Sequence, residues 1–339
     1  MTEKEKLPVT ILDCTLRDSG YVINFQFTAR DVRNICEGLD KAGVTMIEVG
    51  HGLGLGASSP RHGIAFETDA EYIETAVAAR TNAKIGAFFI PGIGAKEDIL
   101  AASKSGLDFI RIGTNATDID LAQDYVAYAK EQGLVAHLNI MKAYAVEPVE
   151  LSRNVAQCKE WGLDSIYIVD SAGCMLPGQV ATYIQAIHDV SGTATGFHGH
   201  NNLDLANANC LAALNAGATL VDGTLRGMGR STGNAQTEVL SHILEVAGYQ
   251  TGLNIFTLFD TTERFLTPLM PFSQGQSSLD VIIGVSKFHS GFLPLFKRAL
   301  AKNDVDLNRL IMLVSQIDCV NPSEELIETV AQDMRRTDA

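Results

Sequence analysis

Paired cysteines are missing from this chain. Its six cysteines (14, 36, 158, 174, 210 and 319) lie far apart, with no Cys-x-x-Cys and no dense spacing. That excludes a disulfide-rich scaffold and fits reduced thiols in a cytoplasmic protein. Positive charge is also scarce: 26 Lys and Arg against 40 Asp and Glu leave a net charge of −14. Nucleic acids and anionic membranes require a basic face, so neither is an expected partner. No apolar run approaches the ~20 residues that span a bilayer. The polar start, Met-Thr-Glu-Lys-Glu-Lys, has no signal-peptide core. Against these absences stands an ordinary globular balance, 46% hydrophobic and 19% charged, in 339 residues. Such a chain can bury a large core.

What the chain does have is rhythm. Eight short apolar runs rich in β-formers recur at 9–16, 46–49, 84–90, 109–114, 135–141, 165–170, 193–198 and 220–225. Between and after them lie stretches with apolar residues three or four apart, at 29–42, 71–80, 96–105, 121–132, 149–161, 178–190, 204–216 and 235–247. That spacing makes one helix face. Several of these helices should end at glycines 43, 106, 133, 162 and 217, where a left-handed turn leads to the next strand. Strands too apolar to have one wet face point to a parallel sheet covered on both sides. Eight such units in ~250 residues predict an α/β fold, a closed (β/α)₈ TIM barrel. An open doubly wound sheet would carry a Gly-rich turn after its first strand, where this chain has Arg17-Asp18. We expect the barrel over 9–250 and an appended helical region over 256–339. The latter has pieces at 256–265, 278–283, 292–302, 306–314 and 324–334, packed on the C-terminal barrel mouth.

Phe197-His198-Gly199-His200-Asn201-Asn202 is the chemical centre of this pattern. Histidines two apart share one face of a strand, so both imidazoles point the same way. Two partly exposed polar residues would be the alternative reading. At the other end of the chain, Arg17-Asp18 closes the first strand, either as a strand-end ion pair or as part of a site. Active sites of this fold form at strand C-termini, and strands 1 and 7 are two apart around a ring of eight. Asp18, His198 and His200 therefore make a candidate ligand set for an octahedral Mn²⁺, Mg²⁺ or Co²⁺ acting as a Lewis acid. Arg17 is a fixed cation for an enolate oxygen or a carboxylate. Glu48 should face the lumen near the metal, and His51, ending strand 2, is a supporting or ligand candidate. The loop 226–235 reads either as a phosphate cradle or as a bend that brings Asn234 to the metal, and we favour the second. His137 could line the lumen, whereas His188 and His242 fall on helices.

Taken together, Thr15-Leu16-Arg17-Asp18, His198-x-His200 and Gly233-Asn234-Ala235 resemble the signatures of metal-dependent lyases and synthases related to hydroxymethylglutaryl-CoA lyase and isopropylmalate synthase. Further motifs resemble the 4-hydroxy-2-oxovalerate aldolases within that group. They are Ile47-Glu48-Val49-x-His51-Gly52, Gly56-x-Ser58-Ser59, Pro91-Gly92-Ile93-Gly94, Val169-Asp170-Ser171 and Gly227-Met228-Gly229. The resemblance implies a divalent-metal pyruvate aldolase, with Mn²⁺ the first choice. It would cleave or form a 4-hydroxy-2-oxo acid to give pyruvate and an aldehyde. Asp18, His198 and His200 would hold the metal, Arg17 and Ser171 the substrate. An acylating aldehyde dehydrogenase is the partner it implies, and an oligomer is expected.

The chain departs from that family at three places. Tyr21 stands where the family has a histidine that acts as base on the substrate hydroxyl. His289, in His289-Ser290-Gly291-Phe292-Leu293, stands where the family has a tyrosine. The two residues thus look exchanged, with independent drift as the alternative. Phe88-Phe89-Ile90 replaces leucines and should reshape the aldehyde pocket. Two other readings remain: a Claisen-type acyl-CoA condensing synthase, and a non-catalytic barrel subunit of a dehydrogenase complex.

Overall fold

The computed structural model describes residues 7–338. Eight parallel strands close a barrel in sequence order: β1 (Thr10–Asp13), β2 (Met46–Glu48), β3 (Lys84–Phe89), β4 (Phe109–Asn115), β5 (Val135–Met141), β6 (Ser165–Asp170), β7 (Ala194–Gly199) and β8 (Leu220–Gly223). Closure is made by β8 against β1, with Thr10 opposite Leu220 and Asp13 opposite Gly223. The barrel helices are α1 (Ala29–Lys41), α2 (Asp69–Ala79), α3 (Lys96–Lys104), α4 (Gln123–Glu131), α5 (Pro148–Gln157), α6 (Pro177–Ser191), α7 (Ala206–Asn215) and α8 (Thr237–Val246). The expected TIM barrel is the observed fold.

Local signals explain where elements start and stop. Thr28 and Asp31 cap α1 reciprocally, and Thr68 and Glu71 do the same for α2. The five glycines expected to end helices all have φ between +76° and +107°, a region other L-residues enter at a cost. Two expected helices are less regular than their spacing suggested. A 3₁₀ turn, Ile119–Ala122, precedes α4, and another, Cys158–Trp161, follows α5. Helix ends tighten this way to satisfy orphan backbone groups.

The first strand needs a larger correction. It stops at Asp13, and Thr15–Asp18 is a separate helical turn. Asp13 causes the break, because its Oδ1 accepts the Thr15 backbone N–H at 2.9 Å and pulls the chain into an Asx turn. Its other oxygen accepts from Thr237 Oγ1 at 2.7 Å, while Thr15 Oγ1 accepts from Leu225 N at 2.8 Å. Arg17 and Asp18 are thus presented by a turn pinned to the β8 side of the barrel.

Five helices follow the barrel: α9 (Ile255–Thr261), α10 (Ser278–Val285), α11 (Leu293–Leu300), α12 (Leu307–Ile317) and α13 (Glu324–Asp338). Leu258 and Leu266 belong to the main barrel core, whereas a second core begins at Ile283 and runs to Met334. The expected start of the appended region at 256 therefore falls in the first turn of a helix that packs as part of the barrel. Gly38 makes that packing possible, since a Cβ there would come within 2.3 Å of Thr261 Oγ1. The later helices reach over the strand C-termini. Asn202 Nδ2 donates to Asp280 O at 3.0 Å, and Lys142 Nζ to Val320 O at 2.5 Å. Among the described residues no single helix is long and apolar enough to cross a membrane.

Candidate active site

The barrel lumen is charged. Arg111, on β4, is completely buried, its guanidinium 2.5 Å from Asp222 on β8 and 3.3 Å from Glu48 on β2. It also lies 4.4 Å over the Tyr167 ring. Buried charge of this kind persists only when paired. Burial alone would raise Glu48 and Asp222, but Arg17 and Arg111 on the first, and Arg111 and His198 on the second, hold both below the ordinary carboxylate value.

Above this layer the sequence-predicted residues converge. Arg17 Nε meets Glu48 Oε2 at 2.7 Å, and Arg17 Nη1 meets Asp18 Oδ1 at 2.7 Å. Asp18 Oδ2 accepts from Asn234 Nδ2 at 2.6 Å. Burial acts to raise the Asp18 carboxyl, but Arg17, His200 and His198 overcome it and hold the group ionised well below its usual range. Gly229 lets Asn234 come this close, since a Cβ there would lie 2.3 Å from Asn234 Nδ2 and 2.8 Å from Asp18 Oδ2.

His198 and His200 bracket the end of β7, their ring centroids 5.2 Å apart. His200 lies one residue past the strand, bridged antiparallel to Asn234. Asp18, His198 and His200 offer ligand atoms that all lie within 4.8 Å of one another, all three residues buried. The Nδ1 nitrogens are the ones tied to the barrel. His198 Nδ1 is 2.8 Å from Asp222 Oδ2, and His200 Nδ1 is 3.3 Å from Gly233 O, which leaves both Nε2 atoms facing the cavity. Such carboxylate and carbonyl partners orient metal-binding imidazoles. Asn234 Oδ1 and Glu48 Oε1, both buried, have no hydrogen-bond partner among the described residues. One carboxylate and two imidazoles suit a divalent cation, so this chain's residues fit one.

The cavity over these ligands has a volume of about 60 Å³. Tyr21, Ser171 and His289 all line it. Ser171 follows β6 directly, and its Oγ accepts from Lys142 N at 3.0 Å. Burial pushes Tyr21 up to about 12. His289 lies far below the usual imidazole value through burial, then the charges of Arg230 and Lys142. Phe88 and Ile90 form an apolar wall, with the Arg17 guanidinium 5.0 Å from the Phe88 ring.

His51 is the exception. It lies past the end of β2, stacked on Phe25 at 3.9 Å, with Nε2 3.2 Å from Gly63 O and Nδ1 accepting from Leu53 N at 3.1 Å. Both ring nitrogens are therefore engaged away from Asp18, His198 and His200. His137 lies in the lumen with Nδ1 2.7 Å from Ser165 Oγ.

Sequence reasoning missed Arg111, Asp222 and Arg230. The first two are single charged residues in otherwise apolar strands, a signal that was available. Arg230 was hidden in a Gly-rich loop. Its guanidinium spans the cavity, donating to His200 Nε2 at 3.0 Å and to Ser171 O at 3.4 Å. It also meets the His289 imidazole and lies 5.8 Å over the Tyr21 ring.

Comparison with known proteins places this geometry. The profile of a family described as HMGL-like matches residues 8–264. A Rhodococcus opacus (strain B4) protein named 4-hydroxy-2-oxovalerate aldolase 4 is 40% identical, over 96% of this chain and 94% of its own. A protein of Chloroflexus aurantiacus named 4-hydroxy-2-oxovalerate aldolase is 40% identical, over 97% of this chain and 96% of its own. Among solved structures, the carboxyl transferase domain of Rhizobium etli pyruvate carboxylase, with pyruvate and biocytin, shares the fold. Its TM-score is 0.78 at 16% identity, covering 99% of this chain and 62% of that one. Bacillus subtilis HMG-CoA lyase aligns with a TM-score of 0.68 at 17% identity, covering 79% and 97%.

Proposed function

Because the chain belongs to the HMGL-like family, we propose that it is a divalent-metal-dependent pyruvate aldolase, a carbon–carbon lyase that cleaves or forms a 4-hydroxy-2-oxo acid. The observation that carries the reading is the buried Asp18, His198 and His200 set, with Arg17 paired to Asp18 at the same cavity. Relatives that align over nearly their whole length carry the name of that activity.

Asp18, His198 and His200 would hold the cation, with Mn²⁺ the best-suited choice and Mg²⁺ or Co²⁺ acceptable to the same oxygen and nitrogen donors. Bound there, it supplies Lewis-acid polarisation of the 2-oxo group. The remaining work falls to the chain's own residues. Ser171 holds the 2-oxo acid's carboxylate. Arg17 faces the oxygen on which negative charge builds as the C3–C4 bond breaks, its electron pair passing into the enolate. The proton of the 4-hydroxyl goes to His289, and C4 leaves as an aldehyde carbonyl. Return of a proton to C3 completes pyruvate. Tyr21, with a phenol that stays protonated at neutral pH, orients the 4-hydroxyl by a hydrogen bond. His289 is unprotonated at neutral pH, the state a base requires. An acylating aldehyde dehydrogenase is the reaction class that would consume the aldehyde.

The test is pyruvate release from a panel of 4-hydroxy-2-oxo acids, with enzyme stripped by chelator and reloaded with Mn²⁺. Metal-restored release is expected. A reloaded enzyme that frees pyruvate from none of them would overturn the reading.

A further inference from the structure

Arg230 differs from the other buried-site arginines in having no carboxylate. Arg17 meets two, Asp18 and Glu48, and Arg111 meets two, Glu48 and Asp222. Among the described residues no carboxylate lies within ion-pair distance of Arg230. Its donors fall instead on the imidazoles of His200 and His289 and on the Ser171 carbonyl. Lys142 stands nearby in a similar condition. It is buried, its Nζ donating to the Val320 carbonyl and lying 5.0 Å from the Phe292 ring, with Asp318 and Asp118 acting on it from a distance. Asp18, Glu48 and Asp222 are all taken up by Arg17 and Arg111, so Arg230 is left without a paired carboxylate of its own. A divalent ion on Asp18, His198 and His200 would add two positive charges beside it. A half-buried guanidinium whose direct partners are uncharged groups has its desolvation only partly offset, the Asp18 charge acting on it from beyond ion-pair distance. One acidic group on the ligand would complete it.

The position of Arg230 says which part of a ligand it would meet. Its planar face covers Tyr21 and its Nη1 touches His289, the two residues at the cavity end assigned to the 4-hydroxyl. When His200 Nε2 serves as a ligand, Nη2 loses that acceptor and keeps the longer contact to the Ser171 carbonyl, so its second N–H becomes available to the cavity. A guanidinium with one N–H to spare on each terminal nitrogen matches a carboxylate bidentately. Leu53, Phe88 and Ile90 line the same cavity and give a short methylene link an apolar wall.

We propose that Arg230 is a specificity residue that binds a second carboxylate on the aldehyde half of the substrate, so that the preferred substrate is a dianionic 4-hydroxy-2-oxo diacid. This rests on the aldolase reading for the reaction and adds the class of acceptor: an aldehyde bearing a carboxylate. Lys142 adds long-range attraction to the same group.

The experiment compares 4-hydroxy-2-oxohexanedioate with 4-hydroxy-2-oxopentanoate, on Mn²⁺-loaded wild type and R230M. Wild type should favour the diacid in kcat/KM. R230M should lower that preference by about 10- to 100-fold, the usual worth of a charge-assisted pair. R230K should restore part of it. Equal losses on both substrates would assign Arg230 to the pyruvate carboxylate and overturn the proposal, while leaving the aldolase reading intact. Should neither compound release pyruvate, the reaction assignment fails by itself. The proposal is then decided by calorimetry with the uncleavable pair 2-oxohexanedioate and 2-oxopentanoate. Tighter binding of the diacid to wild type, lost in R230M, supports it; equal binding refutes it.

Discussion

Asp222 Oδ2 lies 2.8 Å from His198 Nδ1, across neighbouring strands β8 and β7. The carboxylate fixes the proton on Nδ1 and so keeps Nε2 as a lone pair facing Asp18 and His200. It makes the imidazole a better donor to a cation and ties it to the floor of the lumen, because the same oxygen takes Arg111. Asp222→Asn keeps the shape and removes the charge. Mn²⁺ affinity, read by calorimetry, should fall by about 10- to 100-fold. Unchanged affinity would show that His198 is oriented without Asp222.

Arg17 holds Glu48 through Nε and Asp18 through Nη1 at once. A lysine ammonium is a single point and cannot span both carboxylates while facing the substrate. Arg17→Lys should therefore cost nearly as much as Arg17→Ala, about 10²–10³ in kcat for pyruvate release. A lysine variant with near-normal turnover would remove Arg17 from its role at the developing oxyanion.

Some of this was legible before any coordinates, and the reasons differ by residue. His198-x-His200 could be read because a strand's period of two puts both rings on one face. The barrel could be read because both sheet faces are buried and every strand is consequently apolar. The strand end at Arg17-Asp18 was misplaced because the Asp13 side chain ends β1 early, a local hydrogen bond that apolar periodicity does not record. His51 is drawn toward the site when it is taken to end strand 2, which stops at Glu48. The turn after β2 instead carries it to Phe25. Arg230 could not be placed, since its direction depends on positive-φ bends around it: Arg226, Gly227, Ser231 and Gly233.

Tyr21 and His289 come from opposite ends of the chain and line one cavity, with Arg230 bonded to His289 and lying over the Tyr21 ring. If His289 takes the proton from the 4-hydroxyl, His289→Ala should lower kcat by about 10²–10⁴. Tyr21→Phe removes an orienting bond and keeps the base, so its loss should be smaller. Its wild-type-like pH profile should set it apart from His289→Ala, in which the acid limb flattens. A larger loss in Tyr21→Phe than in His289→Ala would reverse the two roles. Stopped-flow or steady-state pyruvate release, followed into the acid range well below pH 6.5, would decide.

His137 supplies a test of the barrel itself. It is buried in the lumen between Phe109 and Tyr167, and its pKa falls from 6.5 to about 4, first through burial and then through Arg111. The unfolded chain takes up this proton near pH 6.5 and the folded chain only near pH 4. Stability from the neutral ring is thus complete above pH 6.5 and is lost as pH falls toward 4. Asp13 runs the other way. Burial raises it to about 6, so its contribution is present below its unfolded value of 3.8 and is lost as pH rises through 6. The two slopes oppose each other in the wild type, and the informative quantity is the difference between wild type and His137→Gln. Denaturant titrations should show that the variant, which has no proton to gain, becomes more stable relative to wild type on going from pH 7 to pH 4. The relative gain should be about 3 kcal/mol at most. Parallel profiles would mean that the lumen accepts an imidazolium beside Arg111, the negative charges of Glu48 and Asp222 offsetting burial and Arg111.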